Sequence, residues 1–225
     1  YGLAYSIGML VQLFISGMNS ALTPWMYSKI KKGDIRSMRK VLQLLSIVVV
    51  GIAVALMLIS PEMVLIFGSP KYREAVYVIP PVAASVFFIF IYNILSMPQF
   101  YYEKTQFLMA ASMAAAGANV VLNFIFIRLF GYIAAGYTTL ACYMLYSVGH
   151  YIVSKQILVN EGIQENLMSP GFLVACSVFL IGASIICNLI FPYRILRYAI
   201  LLASAGLVFW KKELLLKTMA DIRKK

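Results

Sequence analysis

Five uncharged amides stand out as the chemistry least at home in this sequence. Gln12 and Asn19 are seven residues apart, Asn119 and Asn123 are four apart, and Asn93 stands by itself; all lie within stretches that are otherwise apolar. At helical spacing each pair shares a face. An amide in hydrocarbon costs free energy unless another polar group meets it. Two uses follow: hydrogen bonding between helices, or the lining of a hydrophilic cavity suited to sugars more than to ions. Other reactive groups are scarce. The single His150 has no second ligand at helical spacing and reads as a packed or interfacial histidine. Cys142, Cys176 and Cys187 match no metal or redox spacing and read as small packing residues. No glycine loop of the phosphate-binding kind is present. The sequence therefore predicts no catalytic residue, no metal site and no cofactor.

The elements that position these amides are seven apolar stretches, at about 2–26, 41–60, 76–98, 105–127, 132–153, 171–191 and 195–210, none holding Asp or Glu. A helix rises ~1.5 Å per residue, so about 20 residues cross a ~30 Å hydrocarbon core. Six stretches meet that length; the seventh, with 16 residues, needs snorkelling by Arg197 and Lys211 or a local thinning of the bilayer. Hydrophobic residues make up 62% and charged ones 12% of the 225. A soluble domain holds about 45–50% and about 25%, so the fold class is all-α, a polytopic helical membrane protein. Pro24, Pro61, Pro98, Pro170 and Pro192 mark expected helix ends, and Pro80 and Pro81 either open the third helix or kink it where neighbours or water take up the freed carbonyls. The small residues from Ala110 to Ala118 should let the fourth helix approach a neighbour closely. Gly131 makes a tight turn, and Ala134, Ala135 and Gly136 suit close packing on the fifth.

Charge sets orientation. Fourteen Lys and Arg fall on one side of the spans, six of them in 27–40 and six in 211–225, against five on the other side. By the positive-inside rule the fourteen face the cytoplasm, so the first span enters from outside and residues 211–225 form a basic cytoplasmic tail. The net charge of +11 is thereby accounted for by topology. Nucleic acid is not an expected partner, because the basic groups flank apolar spans and form no stripe with stacking aromatics. Membrane lipid is: Leu215, Met219 and Ile222 share one helical face among basic residues in the tail. Trp25, Tyr27, Tyr101, Tyr102 and Trp210 sit at the cytoplasmic ends of spans, where an aromatic belt lies. Tyr1 is not Met and no leader precedes the first span. The chain is expected to begin inside a longer protein, with at least one helix upstream.

Four segments carry a family resemblance: YGLAYSIG at 1–8, PWMYSKIKKGD at 24–34, FGSPKYREAVYVIP at 67–80 and ANVVLNFIFIRLFGYIAAGYTT at 118–139. Through about residue 156 the chain resembles the second half of the polysaccharide transporters, the O-antigen and capsule repeat-unit flippases, in the multidrug, oligosaccharidyl-lipid and polysaccharide exporter superfamily. The resemblance implies seven helices forming the second lobe of a two-lobed transporter in a bacterial cytoplasmic membrane. It implies that an undecaprenyl-pyrophosphate-linked oligosaccharide is moved to the outer leaflet. The partners would be that lipid-linked oligosaccharide, an N-terminal lobe of the same protein and other polysaccharide assembly proteins. On this reading Gln12, Asn19, Asn119 and Asn123 bind the sugar, and Lys29, Lys31 and Arg36 form a rim for the pyrophosphate. The alternatives are a cation-coupled multidrug exporter of the same superfamily, or a membrane scaffold that transports nothing.

Overall fold

The computed structural model describes residues 2–68 and 70–210. The tail 211–225, and with it the expected interfacial face of Leu215, Met219 and Ile222, lies outside the described residues. Among those described there are seven α-helices and no strand: α1 (Gly2–Lys31), α2 (Ile35–Phe67), α3 (Ile79–Tyr101), α4 (Gln106–Phe130), α5 (Ala134–Asn160), α6 (Pro170–Ile190) and α7 (Arg194–Trp210). The seven stretches read from hydropathy each become one helix. α1, α2, α3, α4 and α6 are long and apolar enough to cross a membrane. α5 is 27 residues long but carries Thr138, Thr139, Ser147, His150 and Ser154 along its length. α7 has 17 residues, about 25 Å at a helical rise.

The helices are longer than hydropathy indicates. α2 has 33 residues, about 50 Å against a ~30 Å hydrocarbon core, so its first turns, with Arg36, Arg39 and Lys40, extend beyond the apolar layer or the helix tilts. Pro24, Pro61 and Pro98, expected at helix ends, instead lie inside α1, α2 and α3. A proline forfeits one backbone hydrogen bond, which neighbouring helices can absorb in a membrane bundle. Helix α2 therefore continues through Pro61 and places Glu62 inside a helix, where no carboxylate was expected. Pro80 and Pro81 occupy the first turn of α3, and Pro170 opens α6, as expected. Between α2 and α3 the chain makes a 3-10 turn over Pro70–Tyr77, which hydropathy does not mark.

Helix α3 is the axis of the bundle. It is buried nearly throughout and packs against α5 most extensively, then α2, α1 and α6. Phe87, Phe90, Ile91, Ile94 and Leu95 fill its surroundings with Met26, Ile35, Met38, Leu42 and Met57. Gly136 is what brings α5 so close: a Cβ there would meet Pro81 Cγ at 2.8 Å and the Val78 carbonyl at 3.2 Å. The Ser147 hydroxyl adds a bond to the Phe88 carbonyl at 3.0 Å. Helix α4, in contrast, has no buried residue and leans on α5. Its small-residue stretch meets α5 at Ser112, whose hydroxyl lies 2.8 Å from that of Tyr146, while nothing lies within 4 Å of a Cβ placed on Gly117. Trp25, expected in an interfacial belt, is 7% exposed and belongs to the core.

Connections gather at two ends. At the basic end Lys104 donates to Glu161 at 3.0 Å, and Arg39 Nε to the Asn166 carbonyl at 2.7 Å, joining α2, the α3–α4 turn and the segment after α5. At the opposite end Tyr132 donates to Glu74 at 3.0 Å. There too Arg197 of α7 grips Glu62 of α2 through two bonds of 2.8 Å, while Arg197 Nη1 also reaches the Leu58 carbonyl at 2.7 Å. Arg197 does not snorkel: it is 2% exposed. The alternating up-and-down course needed by the charge argument is thus the course of the chain.

Candidate functional site

Three of the amides line two recesses beside α5, whereas Asn93 Nδ2 donates back to the Ile89 carbonyl of its own helix at 2.7 Å. Gln12 of α1 is half-buried and lines a crevice with Val82 and Ser85 of α3 and Thr139 and Tyr143 of α5. This crevice holds about 10 Å³, the room of a single water, because Gly8 lets α1 touch α3 directly, with a Cβ there only 2.8 Å from Val82 Cγ1. The α1–α3 seam is closed in this conformation. Asn19, two turns further on, is buried at 9% exposure, and its backbone carbonyl accepts from the Thr23 hydroxyl at 2.8 Å.

Asn119 and Asn123 of α4 line the second recess, an open groove of about 480 Å³ shared with Val120, Phe124, Ile127 and Arg128. Asn123 Nδ2 donates to Asn119 Oδ1 at 2.9 Å, and the Thr138 hydroxyl of α5 donates to Asn123 Oδ1 at 2.5 Å. The α4 pair thus binds across helices, and it also faces a groove. Gln12 and the α4 pair lie in separate recesses. They are linked through α5, whose consecutive Thr138 and Thr139 reach the α4 pair and the Gln12 crevice respectively.

Rim residues divide. Lys31 and Arg36 are exposed at the basic end, whereas Lys29 is 5% exposed and its ammonium donates to the Asp34 carboxylate. Asp34 is also the N-cap of α2, accepting from the Ser37 amide at 3.3 Å. The Lys29 bond, with those from Ser37, holds the Asp34 carboxyl below its usual range against the opposing effect of burial.

A profile of the MatE family matches residues 1–125, more than half of the sequence. The chain belongs to the MatE family. Its members are membrane exporters of the multidrug, oligosaccharidyl-lipid and polysaccharide superfamily, and they transport rather than catalyse. No curated protein and no solved structure matches the chain significantly. The match covers α1 to α3 and most of α4, and so includes Gln12, Asn19, Asn119 and Asn123 of the MatE chain.

Sequence reasoning missed four participants: Thr138, Thr139, Arg128 and Glu62. Thr138 and Thr139 lie in a helix rich in hydroxyls, and nothing local tells that they face two recesses. Arg128 was counted as a loop charge; it belongs to the last turn of α4, with its guanidinium 3.9 Å above the Phe124 ring, inside the groove of the two asparagines. Asn123, five residues before it, was the available hint. Glu62 was assigned to a connection because Pro61 looked like a helix end.

Proposed function

We propose that the chain forms the second lobe of an exporter that moves an undecaprenyl-pyrophosphate-linked oligosaccharide from the cytoplasmic to the outer leaflet. The observation that carries this reading is the uncharged polar band across α1, α3, α5 and α4: Gln12, Ser85, Thr139, Thr138, Asn123 and Asn119. Hydroxyls and amides both donate and accept, as sugar hydroxyls do, and no carboxylate is among them. Parting of α1 from α3 would widen the Gln12 crevice, and alternate opening of this kind is what the reading requires. Lys31 and Arg36 remain free to meet a pyrophosphate at the basic rim; Lys29 is engaged with Asp34.

The multidrug alternative asks for an intramembrane carboxylate to bind a coupling cation. Glu62 is the one that α2 contains, and both its oxygens accept from Arg197, with Tyr198 adding a third bond at 2.9 Å. A carboxylate so occupied is poorly placed to bind and release a cation, which favours the oligosaccharide reading.

The test is made in cells that depend on the full-length protein for surface polysaccharide. Ala at Gln12, Asn119, Asn123 and Thr138, alone and together, is expected to lower polymer output and to raise lipid-linked oligosaccharide in the cytoplasmic leaflet at equal protein level. Unchanged output from the fourfold variant would end this reading.

A further inference from the structure

His150 of α5 is fully buried, yet only one ring nitrogen is satisfied. Nδ1 lies 2.8 Å from Gln99 Nε2 of α3, while Nε2 meets no polar atom. Gln99 is also fully buried, and its Oε1 is without a partner. One turn beyond His150 on the same face of α5, the Ser154 hydroxyl is 1% exposed and lacks an acceptor or donor. Buried polar groups are nearly always paired, and each orphan costs free energy. Two of them belong to one bonded pair, His150 and Gln99, with the third a helical turn away on the same face, and together they form a site with a use.

The chemistry that fits is the gain and loss of a proton. Gln99 Nε2 donates to an unprotonated Nδ1. Nε2 also donates to the Leu95 carbonyl at 3.3 Å; when the amide is turned over this longer bond is given up, and Oε1 faces the ring and accepts from the Nδ1–H of an imidazolium. The same side chain therefore serves both protonation states, and a second ring N–H is left for an acceptor such as the Ser154 hydroxyl. Tyr146 at 4.5 Å, Phe107 at 5.4 Å and Tyr92 at 5.9 Å enclose the imidazole, within the distance at which aromatic rings attract a cation. The titratable groups facing the ring are Tyr92 from α3 and Tyr146 from α5 itself, while α4 contributes Phe107 alone. Beyond the neighbouring Tyr151, Arg39 of α2 is bonded to the Asn166 carbonyl and lies 3.9 Å from Glu165. Lys104 is paired with Glu161.

One aromatic wall stands on the least buried helix. Phe107 stands in the first turn of α4, the helix with no buried residue. Gly149 admits it, since a Cβ there would sit 3.3 Å from Phe107 Cζ. We propose that His150, oriented by Gln99, is a proton-binding site at the basic end of the α3–α5 seam, with Phe107 as its gate. The proton passes from hydronium in the water at that end to the ring nitrogen, forming an N–H bond and leaving water, and returns by the same route. Its use in driving export rests on the exporter reading above; the binding itself does not.

The experiment uses the full-length protein in lipid nanodiscs with ¹⁵N-labelled histidine, His150→Gln serving to assign the signal. On acidification from about pH 8 to pH 5, the range in which histidines titrate, the His150 nitrogens should move reversibly from the neutral to the imidazolium shifts in Phe107→Ala. Gln99→Leu, which removes the turning amide, should lower that midpoint. Diethyl pyrocarbonate, which modifies unprotonated imidazole, should label position 150 several-fold faster in Phe107→Ala than in the parent protein. A neutral ring throughout this range in both the parent and Phe107→Ala overturns the proton site. Equal labelling rates overturn the gate. Neither readout needs a transported molecule, so failure here is distinct from failure of the exporter reading.

Discussion

A single methyl group at position 136 tests the tightest contact in the bundle. Gly136→Ala would press on the Val78 backbone carbonyl, which cannot rotate away as a side chain does. Overpacking of this kind costs about 1–3 kcal/mol, and unfolding in mixed detergent and SDS micelles should show a loss of that size. The Glu62–Arg197 pair allows a second prediction. Glu62→Gln leaves a guanidinium with 3% side-chain exposure facing a neutral amide, and breaking a buried pair this way costs about 3–5 kcal/mol. The double variant Glu62→Leu with Arg197→Met removes both charges and should recover most of that loss in the same assay. At this scale the sequence was only partly legible. Gly136 declared itself by its small neighbours, Ala134 and Ala135. The partners Glu62 and Arg197 are 135 residues apart, and no local pattern joins them.

Among the elements, the turn between α1 and α2 makes a prediction about pH. Asp34 caps α2 and receives Lys29, and these bonds depress its carboxyl below the usual 3.8. A depressed acid contributes stability that is whole above the unfolded value and is lost as pH falls through the folded one. The parent protein should therefore lose stability relative to Asp34→Asn when moved from pH 7 to below the usual carboxylate range. Asp34→Ala should lose about 1 kcal/mol at neutral pH, the usual value of a cap. Thermal unfolding of the three proteins in detergent at both pH values decides this. The number and order of helices could be read directly, because hydropathy over 20 residues is a strong signal. Their ends could not, because prolines that would stop a helix in water are carried within helices here. Nor could burial: α3 and α4 have similar apolar composition, yet one is the axis and the other lies bare, a difference made by tertiary packing alone.

For the whole molecule, the alternation of the two ends predicts sidedness. A cysteine at Lys31 or Lys155 and one at Arg73 should react with an impermeant maleimide from opposite faces of the membrane. With the parent cysteines replaced, the first two should be labelled only after the cytoplasmic face is opened. Labelling of all three from one face would contradict the up-and-down course. Helix α7 adds a matter of timing. Its Arg197 supplies the partner for a carboxylate made 135 residues earlier, and chains grow at roughly 5–20 residues per second. Glu62 thus waits roughly 7–27 seconds before its counter-charge exists, so each newly made copy passes through an interval in which an unmatched acid resides in α2, and insertion of the last helix brings that interval to a close.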